Sequence, residues 1–196
     1  DYHHQVLDQL DPQKKLVLVT MHRRENQGQP MRAVFGALRE MVDAHPELEV
    51  VYPVHLSPAV QEAAKDILGE HDRIHLIAPL DVFDFHNLAS RSYFIMSDSG
   101  GVQEEAPSLG KPVLVLRDTT ERPEGVKAGT LKLVGTDPER VKEEMTALLT
   151  DPDLYQKMAS ARNPYGDGKA SERIVQAIQH YYGLVDSVSE FMEGEI

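Results

Sequence analysis

Six short runs of apolar and β-branched residues set the strongest limit on how this chain can fold: Leu16–Thr20, Val50–Val54, Ile74–Ile77, Tyr93–Ser97, Val113–Arg117 and Leu131–Val134. Most are continuously apolar rather than alternating, as expected of strands covered on both faces. Helix-length stretches separate them. Met31, Val34, Leu38, Met41 and Val42 step by three and four and form one apolar stripe. Ser57-Pro58 opens a second helix that Gly69 stops, and Asp81–Ala89 reads as a third. Val102–Leu109, closed by Gly110, reads as a fourth, and Asp137-Pro138 and Asp151-Pro152 start two more. Strand–helix alternation of this kind predicts right-handed crossovers and an α/β fold, a doubly wound parallel sheet of about six strands with helices on both faces. Beyond Val134 only helices are expected, the last over Ala170–Tyr182, preceded by the turn cluster Asn163-Pro164-Tyr165-Gly166-Asp167-Gly168. The reading is one domain over 1–182, followed by a tail over 183–196 that forms an amphipathic helix and packs on something else.

Composition narrows the ligands. With 20 Lys+Arg against 32 Asp+Glu the net charge is −12, which argues against a general nucleic-acid binder. A phosphate would have to be held by local arginines, backbone N–H groups and helix N-termini. The absence of cysteine excludes disulfides, thiolate metal sites and a Cys nucleophile, and fits a reducing, cytoplasmic compartment. No apolar run approaches the ~20 residues of a membrane span, and Asp1-Tyr2-His3-His4 does not open a signal peptide.

In a doubly wound sheet the ligand crevice lies beyond the carboxyl ends of the strands, and three polar segments fall there. His22-Arg23-Arg24-Glu25-Asn26 follows the first strand: the histidine can serve as acid or base, and the arginines can fork onto phosphate. Ser97-Asp98-Ser99-Gly100-Gly101-Val102-Gln103-Glu104-Glu105 follows the fourth. Its glycines let backbone approach a ligand, the amides of Ser99, Gly100 and Gly101 open a helix, and Glu105 sits one turn on, within reach of a ribose diol. Arg117-Asp118-Thr119-Thr120-Glu121-Arg122-Pro123-Glu124-Gly125 follows the fifth and brings Arg122 to the same edge. The bland alternative in each case is a solvated loop or an ordinary helix start. His55, in Pro53-Val54-His55, joins this edge from the second strand, and one of Phe83 and Phe85 is expected in the core while the other can stack on a base. Neither a Gly-x-Gly-x-x-Gly fingerprint nor a Walker loop is present. Asp98-Ser99-Gly100-Gly101 repeats letters found around chymotrypsin-like nucleophiles, but it joins a parallel strand to a helix, so a serine hydrolase is set aside. His71 and His75 have metal-like spacing but share no helix face, and no His-Glu-x-x-His occurs, so no tightly bound metal is expected.

Taken together, the blocks at 22–26, 53–55, 97–107 (Ser-Asp-Ser-Gly-Gly-Val-Gln-Glu-Glu-Ala-Pro), 116–124 (Leu-Arg-Asp-Thr-Thr-Glu-Arg-Pro-Glu) and 163–168 resemble, in order and spacing, the non-hydrolysing UDP-N-acetylglucosamine 2-epimerases. The resemblance runs from Leu16 to Tyr182 and covers only the C-terminal half of the family's pattern. It implies a Rossmann-like half of a GT-B fold, an isomerase working on UDP-GlcNAc, UDP-ManNAc and UDP without a cofactor, and a place in cell-envelope polysaccharide synthesis. As partners it implies an N-terminal half carrying the proton-transfer carboxylates and, as in the family, a homodimer.

Residue by residue, His22 resembles the family's catalytic histidine and Phe85 the residue beside the uracil. Ser99, Gly100 and Gly101 resemble the diphosphate cradle, Glu105 the ribose ligand and Arg122 a further substrate contact. Arg23 and His55 resemble positions that bind a second, regulatory UDP-GlcNAc in some members; Ser57 stands where the family usually has Asn. The half on its own is expected to be inactive. The rival readings are a non-catalytic UDP-binding or regulatory module, and the donor half of a GT-B glycosyltransferase.

Overall fold

A computed structural model describes residues 3–190. Six parallel strands run β1 (Lys15–Thr20), β2 (Leu48–Pro53), β3 (Ile74–Ile77), β4 (Phe94–Ser97), β5 (Val113–Val115) and β6 (Leu131–Leu133), in the spatial order β3-β2-β1-β4-β5-β6. Each expected strand is present within two residues at its start. The order reverses direction between β1 and β4, and a crevice opens where the connections leave to opposite sides.

The continuous apolar runs follow from coverage of both faces. Along β1, Val17 and Val19 point to one layer, with Val50, Tyr52, Phe94 and Met96. Leu16 and Leu18 point to the other, with Val51, Ile95, Val113 and Val115. The first layer is closed by α1 (Gln29–Ala44), α2 (Pro58–Leu68), α6 (Pro138–Thr150) and α7 (Pro152–Ala159). The predicted stripe is the buried face of α1, with Met31, Val34, Leu38 and Val42 all fully buried. The second layer is closed by α3 (Val82–Arg91), α4 (Gly100–Glu105) and the 3₁₀ turn Ala106–Leu109 that continues it. Leu7 and Leu10, around a 3₁₀ turn at Gln5–Gln9 that the sequence did not announce, are buried in the same layer.

Capping carries much of the local specification. Asp81, Asp137 and Asp151 each accept the amide three residues on and start α3, α6 and α7. Gly110, at φ 64°, closes the turn after α4 in the left-handed conformation that costs glycine nothing. A short helix, α5 (Pro123–Ala128), lies where the sequence reads as loop. Its Gly125 is compulsory, because a Cβ there would meet Leu131 Cδ1 at 2.4 Å and the Tyr165 hydroxyl at 2.5 Å.

The last helix, α8 (Ala170–Tyr181), differs from all the others in having no buried residue. The tail does not continue it: Gly183, at φ 70°, turns the chain, and Ser189 comes back to bond Gln176 Oε1 through both its amide and its hydroxyl. The helix expected over 183–196 is therefore absent from 183–190, and 191–196 lie outside the described residues.

Candidate functional site

β1 and β4 pair side by side, so the loop after Thr20 and the loop after Ser97 leave the sheet as neighbours, 72–76 residues apart in sequence. They are tied together by Asp98, whose side chain is fully buried. Asp98 Oδ2 accepts from the amides of Arg23 (2.8 Å) and His22 (3.0 Å) and from Asn26 Nδ2 (3.0 Å). Oδ1 accepts from the His22 amide at 3.1 Å and lies 3.5 Å from the ring Nδ1 of His22. Asn26, itself buried, also donates to the Leu116 carbonyl at the end of β5, and Arg23 Nε donates to the Asp98 carbonyl. Beneath them Thr20 and Ser97 share a hydroxyl bond of 2.6 Å, and buried Tyr52 donates to the Met21 carbonyl. Burial pushes the Tyr52 hydroxyl well above its ordinary value, and the neighbouring Asp98 charge adds to this.

A cleft of about 250 Å³ opens over this floor, lined by Met21, His22, His55, Phe85, Ser99 and Val102 among others. The rings of His22 and His55 stack at 5.4 Å and 15°. Phe85 is half-buried and also lines a smaller cavity behind, with His86, Glu105 and Leu109, whereas Phe83 is exposed on the outer side of α3.

At the mouth of α4 the predicted anion cradle has two guanidinium groups over it. A Cβ on Gly100 would lie 3.5 Å from an Arg122 nitrogen and 3.8 Å from an Arg23 nitrogen, and one on Gly101 would lie 3.8 Å from Glu105 Oε1. Glu105 Oε2 is held by His86 at 3.1 Å. Arg122 is braced by Glu104, and the Tyr165 hydroxyl touches the Arg122 carbonyl while accepting from the Gly125 amide, so the turn cluster at 163–168 supports the third loop. Thr120 bonds buried Gln103 at 2.6 Å and accepts from the Arg122 amide, joining that loop to α4. Nearly buried Arg117 clamps Glu121 with both terminal nitrogens, at 2.6 and 3.0 Å, and reaches Glu25 at 3.0 Å. This fork holds the Glu121 carboxyl down at about 2.

Every residue singled out from the sequence (His22, Arg23, His55, Phe85, Ser99, Gly100, Gly101, Glu105 and Arg122) thus falls on one rim, around the cleft or the cradle beside it. His55, set apart in the sequence as a position of a second site, lies against His22. Sequence reasoning missed Asp98, Asn26, Gln103 and Arg117 as supports. His71 and His75 go to separate carboxylates, Asp43 and Glu49. Among the described residues, His3, Asp81 and Asp84 form one group with metal-ligand atoms, but Asp81 caps α3 and Asp84 accepts the amides of His3 and His4.

Known proteins resemble this chain over nearly its whole length. A family model described as UDP-N-acetylglucosamine 2-epimerase matches residues 1–179. The Bacillus subtilis UDP-N-acetylglucosamine 2-epimerase is 62% identical over 182 residues, covering 93% of this chain and 48% of that protein. The S. aureus MnaA–UDP co-structure superposes with a TM-score of 0.90 at 54% identity, over 97% of this chain and 52% of that one. The Neisseria meningitidis UDP-GlcNAc 2-epimerase bound to UDP-GlcNAc gives a TM-score of 0.85 at 46% identity, over 90% and 47%. The chain therefore spans about half the length of the relatives it matches.

Proposed function

This chain belongs to the UDP-N-acetylglucosamine 2-epimerase family, and on that premise we propose that it is the nucleotide-binding half of an enzyme interconverting UDP-GlcNAc and UDP-ManNAc. The observation that carries the reading is the convergence of Arg23 and Arg122 on Gly100, beside a cleft lined by His22 and Phe85, at the point where the strand order reverses.

In this reading the reaction is an anti elimination of UDP to a 2-acetamidoglucal, followed by re-addition after reprotonation from the other face. The charge that develops is on the departing diphosphate. The Gly100 and Gly101 amides and the two guanidinium groups are donors aimed at it, the Ser99 amide being bonded to Ser97 Oγ at 2.9 Å, and this is the preorganised stabilisation such a step requires without a divalent metal. Phe85 lies beside the uracil, and Glu105 Oε1, free of the His86 contact on its other oxygen, takes the ribose diol. His22 works at the sugar end of the cleft. His55 takes a second, regulatory UDP-GlcNAc, with Arg23 shared between that ligand and the substrate diphosphate, and the stacking of His55 on His22 would couple the two ligands directly.

These groups all lie on one sheet edge and line one wall of a cleft. Moving a proton at C2 on both faces of the sugar requires groups opposite, so an N-terminal half completes the site. Ile174, Val175, Ile178, Tyr181, Tyr182 and Leu184, more than half exposed on and just after α8, supply an apolar face for it to pack on. Homodimers and a cytoplasmic location belong to the same reading; among the described residues no helix is long and apolar enough to cross a membrane.

Calorimetry on the 196-residue chain tests the core of this. UDP should bind equally with and without EDTA, and Arg122→Ala should lose about 1.5–3 kcal/mol of binding as a charge-assisted contact goes. A folded chain that ignores millimolar UDP would refute the reading. The chain alone should take up no deuterium at C2 of UDP-GlcNAc from heavy water, and should begin to do so when a compatible N-terminal half is supplied.

A further inference from the structure

The family's own pattern gives His22 a task but leaves open which ring nitrogen performs it, and the floor of the site contains a group able to decide. Asp98 has no exposed surface, and its oxygens divide their work. Oδ2 is saturated by the Arg23 and His22 amides and Asn26 Nδ2. Oδ1 has the His22 amide at 3.1 Å and, beyond it, the His22 ring Nδ1 at 3.5 Å. A neutral imidazole carries a proton on one nitrogen and a lone pair on the other. A lone pair on Nδ1 would face a buried carboxylate oxygen across a poorly screened gap, whereas an N–H there would meet an acceptor with spare capacity. His55 does not compete for that position, since it stacks on the ring face at 15°. The gap exceeds a hydrogen bond, and contacts of this kind commonly tighten when substrate arrives.

We propose that Asp98 is a positioning residue that fixes His22 as the Nδ1–H tautomer and so presents Nε2 to the cleft as a proton acceptor. The same carboxylate anchors the His22 and Arg23 backbone, so one buried group sets both where the imidazole sits and which of its nitrogens is available. The inference rests on the reading of His22 as the working histidine, and it adds a chemical state to that residue.

The test is the long-range proton–nitrogen spectrum of the chain labelled with ¹⁵N-histidine, taken where the imidazoles are neutral, with His22→Gln assigning the resonances. In the unmodified protein Nδ1 of His22 should carry the proton and Nε2 should have the shift of an unprotonated nitrogen. Asp98→Asn should reverse this. The carboxamide oxygen still serves the three donors of Oδ2, and its NH₂ then faces Nδ1 and favours a lone pair there. A purely structural role for Asp98 would leave the tautomer unchanged in any variant that folds. Finding Nε2–H in the unmodified protein, or no change in Asp98→Asn, overturns the proposal. If Asp98→Asn fails to fold, the tautomer of the unmodified protein decides alone. A parallel UDP titration separates the two readings: absence of UDP binding refutes the nucleotide-binding half and leaves the tautomer result standing.

Discussion

The floor of the cleft and the face of α8 invert each other. Around Asp98 the chain buries a carboxylate, an amide and two hydroxyls and gives each of them partners drawn from three strand ends. On α8 it builds an amphipathic helix with no buried residue and leaves Ile174, Val175 and Ile178 more than half exposed. Polar groups are usually outside and large apolar ones inside. A buried polar group persists only where its bonds are complete, and an apolar stripe persists in water only at the risk of association. The first region is finished by this chain, and the second leaves large apolar side chains open to solvent. That contrast agrees with a chain that spans half of its relatives.

Asp98→Ala should have the largest effect. It would strand the amides of His22 and Arg23 and the Asn26 side chain in a buried space, and it should cost about 3–5 kcal/mol. Urea unfolding reads this as a lower midpoint at constant slope; a shift below one kcal/mol would mean that the floor is not the finished structure described above.

Glu121→Gln should act more gently, at neutral pH and not in strong acid. The fork from Arg117 holds the Glu121 carboxyl at about 2 against an ordinary 4.5. Its contribution is complete above 4.5 and is lost as the pH falls from there through about 2. The substitution should therefore lower stability on the neutral plateau, flatten the acid limb of stability against pH between those values, and leave the two proteins alike at pH 2 and below. An unchanged acid limb would remove the Arg117–Glu121 fork from the description of the site.

The smallest effect belongs to the other region. Ile174→Ser and Ile178→Ser should change the stability of this chain by less than about 0.5 kcal/mol, as for exposed positions generally. In an assembly with the N-terminal half the same changes should weaken association. If they destabilise the isolated chain as much as a core truncation does, the face is already covered, and the comparison between the two regions fails.

The architecture was more legible than the site's supports, for a physical reason. Strands covered on both sides must be apolar at consecutive positions, so Leu16–Thr20 and Ile74–Ile77 stand out in the one-dimensional pattern. Caps are local too, and Asp81, Asp137 and Asp151 are where the helices begin. The rim residues were readable because they are clustered after strands. Asp98 was in view as a letter of a motif, but nothing nearby says that it is buried. Its partners lie across a sheet neighbour fixed only by the strand order. Gln103 and Thr120, or Tyr165 and Gly125, are similarly joined only by tertiary structure. One signal was available and unused: β1 and β2 are adjacent parallel strands, so the residues just past their ends, His22 and His55, must approach each other. The helix Pro123–Ala128 escaped because six residues with a glycine inside give no periodicity to detect.

The strand order also says when the site can exist during folding. The first three strands form a continuous βαβαβ unit, yet His22 at its edge has no floor until β4 docks on β1. Bridging Arg23 and Asp98 closes a loop of 75 residues in separation, a non-local contact of the kind that slows folding. A ligand that needs Arg23 and Gly100 together therefore recognises only chains that have completed this docking, and it stabilises them by mass action over every partly folded form. Nucleotide binding would then serve as a timer for assembly: its appearance after dilution from denaturant marks the closing of β4 onto β1, and helix content recovered before that moment measures the unit that folds without it.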